Sequence, residues 1–335
     1  MQPFKFTKAS DAGTAVQAVM TNSNAKFVAG GTNLIDLMKE GVETPSELVD
    51  ISRLNLAQIR STANGISIGA LAKNTDTANH PLVRRDFPLL TQAILSGASA
   101  QIRNMATNGG NLMQRTRCTY FYDVSMACNR REPGAGCAAL EGINRNHAIF
   151  GWNAACVDVH PSDMCVALAA LDAAVNIQGQ GGKTRAVPFA DLYAAPDDMS
   201  AGKMLAGDTT LKQGELITSI DIPKNNFSDN SYYLKVRDRA SFAFALVSVA
   251  AALDLGGGKI KQARIAMGGV AYKPWRATEA ERFLTGKAAT EENFAAAADI
   301  AMKDARPLEH NKYKVELGKR AIAHALRKAA NVKAA

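Results

Sequence analysis

AGGTNLIDL (Ala29–Leu37) places two glycines directly after an apolar strand candidate and before a helix candidate, and ATNGGNLMQ (Ala106–Gln114) repeats the diglycine theme further along the chain. Paired glycines let successive main-chain N–H groups turn toward one point and let a ligand come close to the backbone. Two such turns, one from each of two units, could grip the two phosphates of a dinucleotide. Neither is a G-x-G-x-x-G or a G-x-x-x-x-G-K-[ST] stretch, so a Rossmann site and a P-loop are both unsupported. Taken singly, each reads equally well as a tight turn.

Working outward, Lys26–Ala29, Glu47–Ser52 and Gly65–Ala70 read as strands, and Ile35–Lys39, Pro88–Leu95 and Ser162–Ala174 as helices. TRAVPFADLY and GELITSIDIP suggest strands that close a second unit. The polar, turn-rich PKNNFSDN (Pro223–Asn230) marks a boundary. Beyond it SYYLKVRD, FALVSVAAALDL and KQARIAMGGVAY are three strand candidates, followed by helices. The fold class expected is α+β, with units at residues 1–55, 56–223 and 230–331.

At 335 residues and 47% apolar content the chain is long enough for two or three cores. No apolar run is long enough to span a bilayer, and the N-terminus shows no apolar signal core, which makes the cytoplasm the expected folding compartment. The net charge of +8 is concentrated in HNKYKVELGKRAIAHALRKAANVKAA (residues 310–335). No nucleic-acid-binding pattern accompanies it, so a solvated helix face or a subunit contact is expected. None of the five histidines, His80, His147, His160, His310 and His324, sits in a nucleophile or metal motif. His160 adjoins the Ser-Asp turn, where a structural role is expected.

Four of the five cysteines, Cys118, Cys128, Cys137 and Cys156, fall within residues 117–156. Reduced thiols in the cytoplasm make disulfides the weakest explanation. Zinc would usually show a close C-x2–4-C pair, and none is present. Unliganded core cysteines remain an alternative. An iron–sulfur cluster accepts irregular spacing provided that four thiolates converge, and Arg115, Arg117, Arg130 and Arg131 could offset its charge. Cys165 reads as a buried spectator.

FVAGGTNLIDLMK, IRNMATNGGNL, HPSDMCVALAALDA, KVRDRASFAFALVSVAAAL and GGVAYKPWRA occur in the order expected of one family. Over nearly its whole length the chain resembles the FAD-binding medium subunits of the molybdenum hydroxylases, and most nearly those of bacterial periplasmic aldehyde oxidoreductases. The resemblance implies a two-part FAD-binding domain of the vanillyl-alcohol-oxidase/PCMH type, followed by a three-stranded antiparallel sheet with a helical bundle. It implies that Val28, Ala29, Gly30, Gly31, Thr32, Asn33 and Leu34, with Thr107, Gly109, Gly110 and Asn111, hold FAD, the pyrophosphate resting on main-chain donors. Asp163 would sit near the ribityl or ribose hydroxyls, and Ile217 and Lys235 near the flavin ring. Helix capping is the plainer role for Asp163, and a surface position the plainer one for Lys235.

The same resemblance makes the segment at about 115–158 an insertion carrying a [4Fe-4S] cluster on Cys118, Cys128, Cys137 and Cys156. It implies a large molybdenum-cofactor subunit and a small subunit with two [2Fe-2S] centres as partners, in a heterotrimer that passes electrons to an external acceptor. The implied activity is oxidation of aromatic aldehydes to acids, with export to the periplasm if a partner carries the signal. Alternatives are a self-sufficient FAD oxidase of the alcohol-oxidase superfamily, or the FAD subunit of a xanthine dehydrogenase or hydroxybenzoyl thioester reductase. Xanthine-oxidising relatives carry an aromatic residue where this chain reads SGASAQIRN, which leaves Tyr120, Phe121 or Tyr122 as candidates to stack on the flavin.

Overall fold

A computed structural model describes residues 1–196 and 208–331. The first layer is a parallel sheet of β1 (Lys5–Lys8), β2 (Ala25–Val28) and β3 (Glu47–Asp50), ordered β1-β3-β2. Parallel neighbours need a crossover. The helix Leu34–Lys39 lies in the one between β2 and β3, while the helix Ala12–Thr21 joins β1 to the non-adjacent β2 and is started by a reciprocal cap in which Asp11 accepts from the Thr14 amide at 2.8 Å and Thr14 Oγ1 accepts from the Asp11 amide at 3.1 Å.

A five-stranded antiparallel sheet follows, ordered β4-β5-β8-β6-β7, from β4 (Ile59–Thr62), β5 (Gly65–Gly69), β6 (Ala174–Gln178), β7 (Thr184–Pro188) and β8 (Leu216–Pro223). Ile66, Ile68, Val175, Ile177, Ile220 and Ile222 turn inward against the helices Pro88–Ser96 and Asp163–Ala170. Two expected elements end early. The second of these helices stops because Asp172 takes the left-handed conformation, φ 52°. β7 stops at Pro188, and Phe189–Asp191 is a 3-10 turn.

The third layer is β9 (Ser231–Val236), β10 (Val247–Gly256), β11 (Lys259–Gly268) and the two-residue β12 (Trp275–Arg276). The three expected strands are therefore joined by a short edge strand, antiparallel in the order β12-β11-β10-β9. Along β10 the side chains alternate between two cores. Val247, Val249, Ala251 and Leu253 meet the C-terminal helices Thr278–Leu284, Glu291–Met302 and Tyr313–Ala329, while Ala250 and Ala252 join the core of the five-stranded sheet. A sheet covered on both faces explains why this stretch is apolar at nearly every position. The outer face of the basic C-terminal helix carries ion pairs: Lys319 meets Asp299, Arg320 meets Glu316 and Arg327 meets Glu291. The chain's residues 332–335 lie outside the described residues. No helix among the described residues is long and apolar enough to cross a membrane.

The cysteine segment packs into the third layer. Ile149 and Phe150 belong to its core, and their amides both donate to the Val270 carbonyl, at 2.9 and 3.0 Å. Lys314, fully buried, donates to the carbonyls of His147 (3.0 Å) and Gly269 (2.7 Å), and burial pushes its pKa down to about 7.

Candidate functional site

The first glycine turn leaves β2 and enters the helix Leu34–Lys39. Gly31 has φ +68°, a conformation that favours glycine. The amides of Gly31, Thr32 and Asn33 have no partner among the described residues. Nor does the buried Asn33 Nδ2, although Asn33 Oδ1 accepts from the Arg115 amide at 3.0 Å.

The second turn behaves differently, and here the expectation of free main-chain donors needs correction. Thr107 caps a short helix, its Oγ1 accepting from the Gly110 amide at 3.2 Å. The amides of Asn108 and Gly109 donate to the carbonyls of Ala72 and Ala70, and that of Asn111 to Thr107. This turn contributes its closeness instead. A Cβ on Gly30 would stand 2.1 Å from the Met105 carbonyl oxygen, so the two turns lie backbone against backbone.

A cleft of about 450 Å³ opens where they meet. Val28–Leu34, Thr107, Gly109, Gly110 and Ile217 line it, together with charged groups that sequence reasoning had not assigned to the cofactor. Lys26, Arg115, Arg130, Arg131 and Lys212 stand against Glu43, Asp208 and Glu215, a net charge of +2. Unpaired amides, an orphaned buried amide group and a net dipositive wall fit a dianionic pyrophosphate.

Asn111, Asp163 and Lys235 do not line this cleft. Asn111 turns to Asn74 Oδ1 (2.8 Å) and accepts from Ser162 Oγ (2.5 Å). Asp163 lines a second cavity of about 770 Å³, shared with Cys118, Tyr120, His147, Ser162 and Phe244. Ser162 supplies the helix cap, accepting from the Cys165 amide at 3.1 Å. Asp163 is thereby free to accept from Tyr233 Oη and Lys235 Nζ, both at 2.7 Å. Lys235 is no surface lysine, since its side chain is 4% exposed. Residues 163 and 235 come from different layers, and only the fold brings them together.

Of the proposed stacking residues, Phe121 is fully buried beside Leu37 and Cys128, and Tyr122 Oη donates to Asp36 at 3.0 Å. Tyr120 alone of the three lines the second cavity. His160 lines it too, its ring 4.5 Å from that of Tyr193 and its Nδ1 accepting from the Ser162 amide at 3.3 Å. Burial pushes its pKa from 6.5 down to about 4. The unfolded chain therefore takes up this proton near pH 6.5 and the folded chain only near 4. The stability linked to the neutral ring is present above pH 6.5 and lost as pH falls toward 4, by about 3 kcal/mol at most. His160→Asn should flatten that part of the stability–pH profile, as read by urea unfolding at pH 7 and pH 4.5.

All five cysteines are free. Cys128 and Cys137 face one another across an antiparallel bridge. Cys118 lies near Cys128, Cys128 near Cys137 and Cys137 near Cys156, each close enough that a thiolate on one would disfavour ionisation of the next. Main-chain amides point at three of the sulfurs: Tyr120 and Phe121 at Cys118, Val157, Ala139 and Leu140 at Cys137, and Asp158 at Cys156. His147 Nε2 lies 3.1 Å from the Cys118 sulfur. The thiols share a neighbourhood, yet no three Cys, His, Asp or Glu side chains among the described residues form a metal-holding group. The arginines expected to offset a cluster are committed elsewhere, Arg115 to Glu43 and Asp208, Arg117 to Asp36, and Arg131 to main-chain carbonyls. Arg130, paired with Asp158 and Asp208, is the one that also acts on a cysteine, working against the burial that raises the Cys156 thiol. Cys165 is buried, 3.2 Å from Tyr193 Oη.

Residues 2–225 match the FAD binding domain in molybdopterin dehydrogenase, and residues 232–329 the CO dehydrogenase flavoprotein C-terminal domain. The chain belongs to the FAD-binding medium subunits of the molybdenum hydroxylase family, and is an oxidoreductase subunit. It is 46% identical over 330 residues to the aldehyde oxidoreductase FAD-binding subunit PaoB of Escherichia coli strain K12, covering 98% of this chain and 99% of PaoB. The glyceraldehyde dehydrogenase medium chain of Sulfolobus acidocaldarius is 30% identical over 285 residues, 85% of this chain and 82% of its own. Among solved structures, carbon monoxide dehydrogenase from Hydrogenophaga pseudoflava, lacking the Mo-pyranopterin moiety, superposes with a TM-score of 0.76 at 26% identity, covering 99% of both chains.

Proposed function

We propose that this chain is the FAD-carrying electron-transfer subunit of a molybdenum-containing aldehyde oxidoreductase. Its partners would be a large molybdenum-cofactor subunit and a small iron–sulfur subunit. The observation that carries the reading is the cleft between the two glycine turns, with its unpaired amides and net charge of +2, in a chain 46% identical to PaoB from end to end. Bound FAD would supply the capacity to take up electrons and hand them on. Gly31–Asn33 would hold the pyrophosphate through their amides, and Asn33 Nδ2 would donate beside them. Ile217 would pack against the cofactor from β8. Asp163 and Lys235, buried as a pair, would orient the groups on the far side of the Asn111–Ser162 hydrogen bond.

The proposal extends to a [4Fe-4S] cluster on Cys118, Cys128, Cys137 and Cys156. Its support is the clustering of these thiols and the amides aimed at three of them, since N–H donors to sulfur are a means by which proteins tune such centres. The compartment would follow the partners: the periplasm where one carries a signal, the cytoplasm otherwise.

The purified complex should bleach its flavin on anaerobic addition of an aromatic aldehyde, whereas the lone chain should bind FAD and leave aldehyde untouched. Turnover by the lone chain would refute the subunit reading and favour a self-sufficient oxidase. The chain alone should carry iron and acid-labile sulfide in equal amounts, both lost in Cys128→Ser. Zinc without sulfide would remove the cluster from the proposal.

A further inference from the structure

One carboxylate of the cleft wall, Asp208, reaches the cysteine segment as well, its side chain 17% exposed. Asp208 accepts from Arg115 Nε at 3.1 Å and Nη2 at 3.3 Å, and from Arg130 Nη1 at 2.9 Å. Arg115 touches both glycine turns: it follows the second in sequence, and its amide holds Asn33 of the first. Its guanidinium also donates to the Arg130 carbonyl at 3.0 Å. Arg130 belongs to the cysteine segment, and its other carboxylate partner is Asp158, two residues after Cys156. Asp208 thus joins two cations that both line the cleft, and the second, Arg130, also stands beside a thiol of the cysteine segment.

We propose that Asp208 is a positioning residue that couples the cofactor cleft to the cysteine segment, so that FAD in the cleft orders residues 118–156. The inference rests on the FAD site described above. A ligand that fixes Arg115 and Asn33 fixes Asp208, and Asp208 holds Arg130 and with it the turn that carries Cys128. Coupling of this kind is reciprocal: an ordered cysteine segment tightens FAD to the same degree that FAD orders the segment. A buried ion-pair network suits the task because a guanidinium deprived of its carboxylate cannot relax into water.

Hydrogen exchange on the complete chain, with FAD removed and then restored, tests the coupling. In the wild type, FAD should slow exchange directly at residues 28–34 and at 129–133, which line the cleft, and at residues 118–128 and 134–156 by about tenfold, within the usual range of allosteric coupling. Asp208 lines the cleft, so Asp208→Asn is compared at saturating FAD, with protection at 28–34 as the measure of occupancy; relative to it, protection at 118–128 and 134–156 should be lost, while Asp208→Glu should restore it. Should Asp208→Asn not fold, Arg130→Lys keeps the charge, loses the two-carboxylate bridge and is expected to give the same loss. A folded Asp208→Asn or Arg130→Lys with full FAD-dependent protection at 118–128 and 134–156 would overturn the proposal. So would a wild type protected at 28–34 and 129–133 alone. Absence of protection at 28–34 in the wild type would instead overturn the FAD site, and this proposal with it.

Discussion

Gly30→Ala is expected to purify with little or no flavin. The added Cβ would stand 2.1 Å from the Met105 carbonyl oxygen and 2.8 Å from its carbon, and a backbone carbonyl cannot swing aside as a side chain would. Lys73 Nζ, which donates to that same oxygen at 2.9 Å, fixes it further. The two turns would have to part, widening the cleft where the pyrophosphate is proposed to sit. Overpacking of this kind costs roughly 1–3 kcal/mol, or about 5–150-fold in affinity if it falls on binding. Gly41→Ala is the control. Gly41 also has a positive φ, +76°, but its Cβ would meet nothing within 4 Å. That substitution should lower stability by about 1 kcal/mol through backbone strain alone and leave the flavin-to-protein ratio unchanged. Equal flavin loss in both variants would mean that the closeness of the two turns is not what holds the cofactor.

The glycine turns were legible because their signal is local: a strand candidate, two glycines and a helix candidate lie within a few residues of one another. The C-terminal strands were legible for the same reason. What the turns do was only half legible. Whether an amide is free depends on acceptors elsewhere in the chain, and the carbonyls of Ala70 and Ala72, next to β5, take the Gly109 and Asn108 donors of the second turn, while none among the described residues takes those of Gly31, Thr32 and Asn33 in the first. Asp163 stood out in the sequence, but the choice of the helix cap turned on Ser162, its immediate neighbour, which captured it. Arg115 and Arg130 were noticed as charges near cysteines. Their carboxylate partners Glu43, Asp158 and Asp208 are contributed from far apart in the chain, so the ion-pair network they build together, part of it in the cleft wall, has no sequence signature.

Lys235→Met is expected to cost about 3–5 kcal/mol of stability, because it leaves the Asp163 carboxylate buried with only the Tyr233 hydroxyl to answer it. Asp163→Asn should cost a comparable amount by stranding the ammonium. The double variant Lys235→Met/Asp163→Asn removes both charges together and should recover most of the loss, with a coupling energy of about 3 kcal/mol in a denaturant cycle. The pairing also changes what Lys235 can do for a flavin. An isolated cation beside the ring would favour the anionic reduced form, but this one lies 2.7 Å from a carboxylate, and the pair presents a dipole in place of a full charge. If the ring lies within reach of the pair, the two single variants should shift its midpoint potential in opposite directions. Asp163→Asn frees a cation and should raise the potential, while Lys235→Met frees an anion and should lower it, each on the order of 30–60 mV for a two-electron couple. The double variant should return close to the wild-type value. Shifts of the same sign in both single variants, or a double variant as perturbed as either, would show that the pair acts on the fold and not on the flavin.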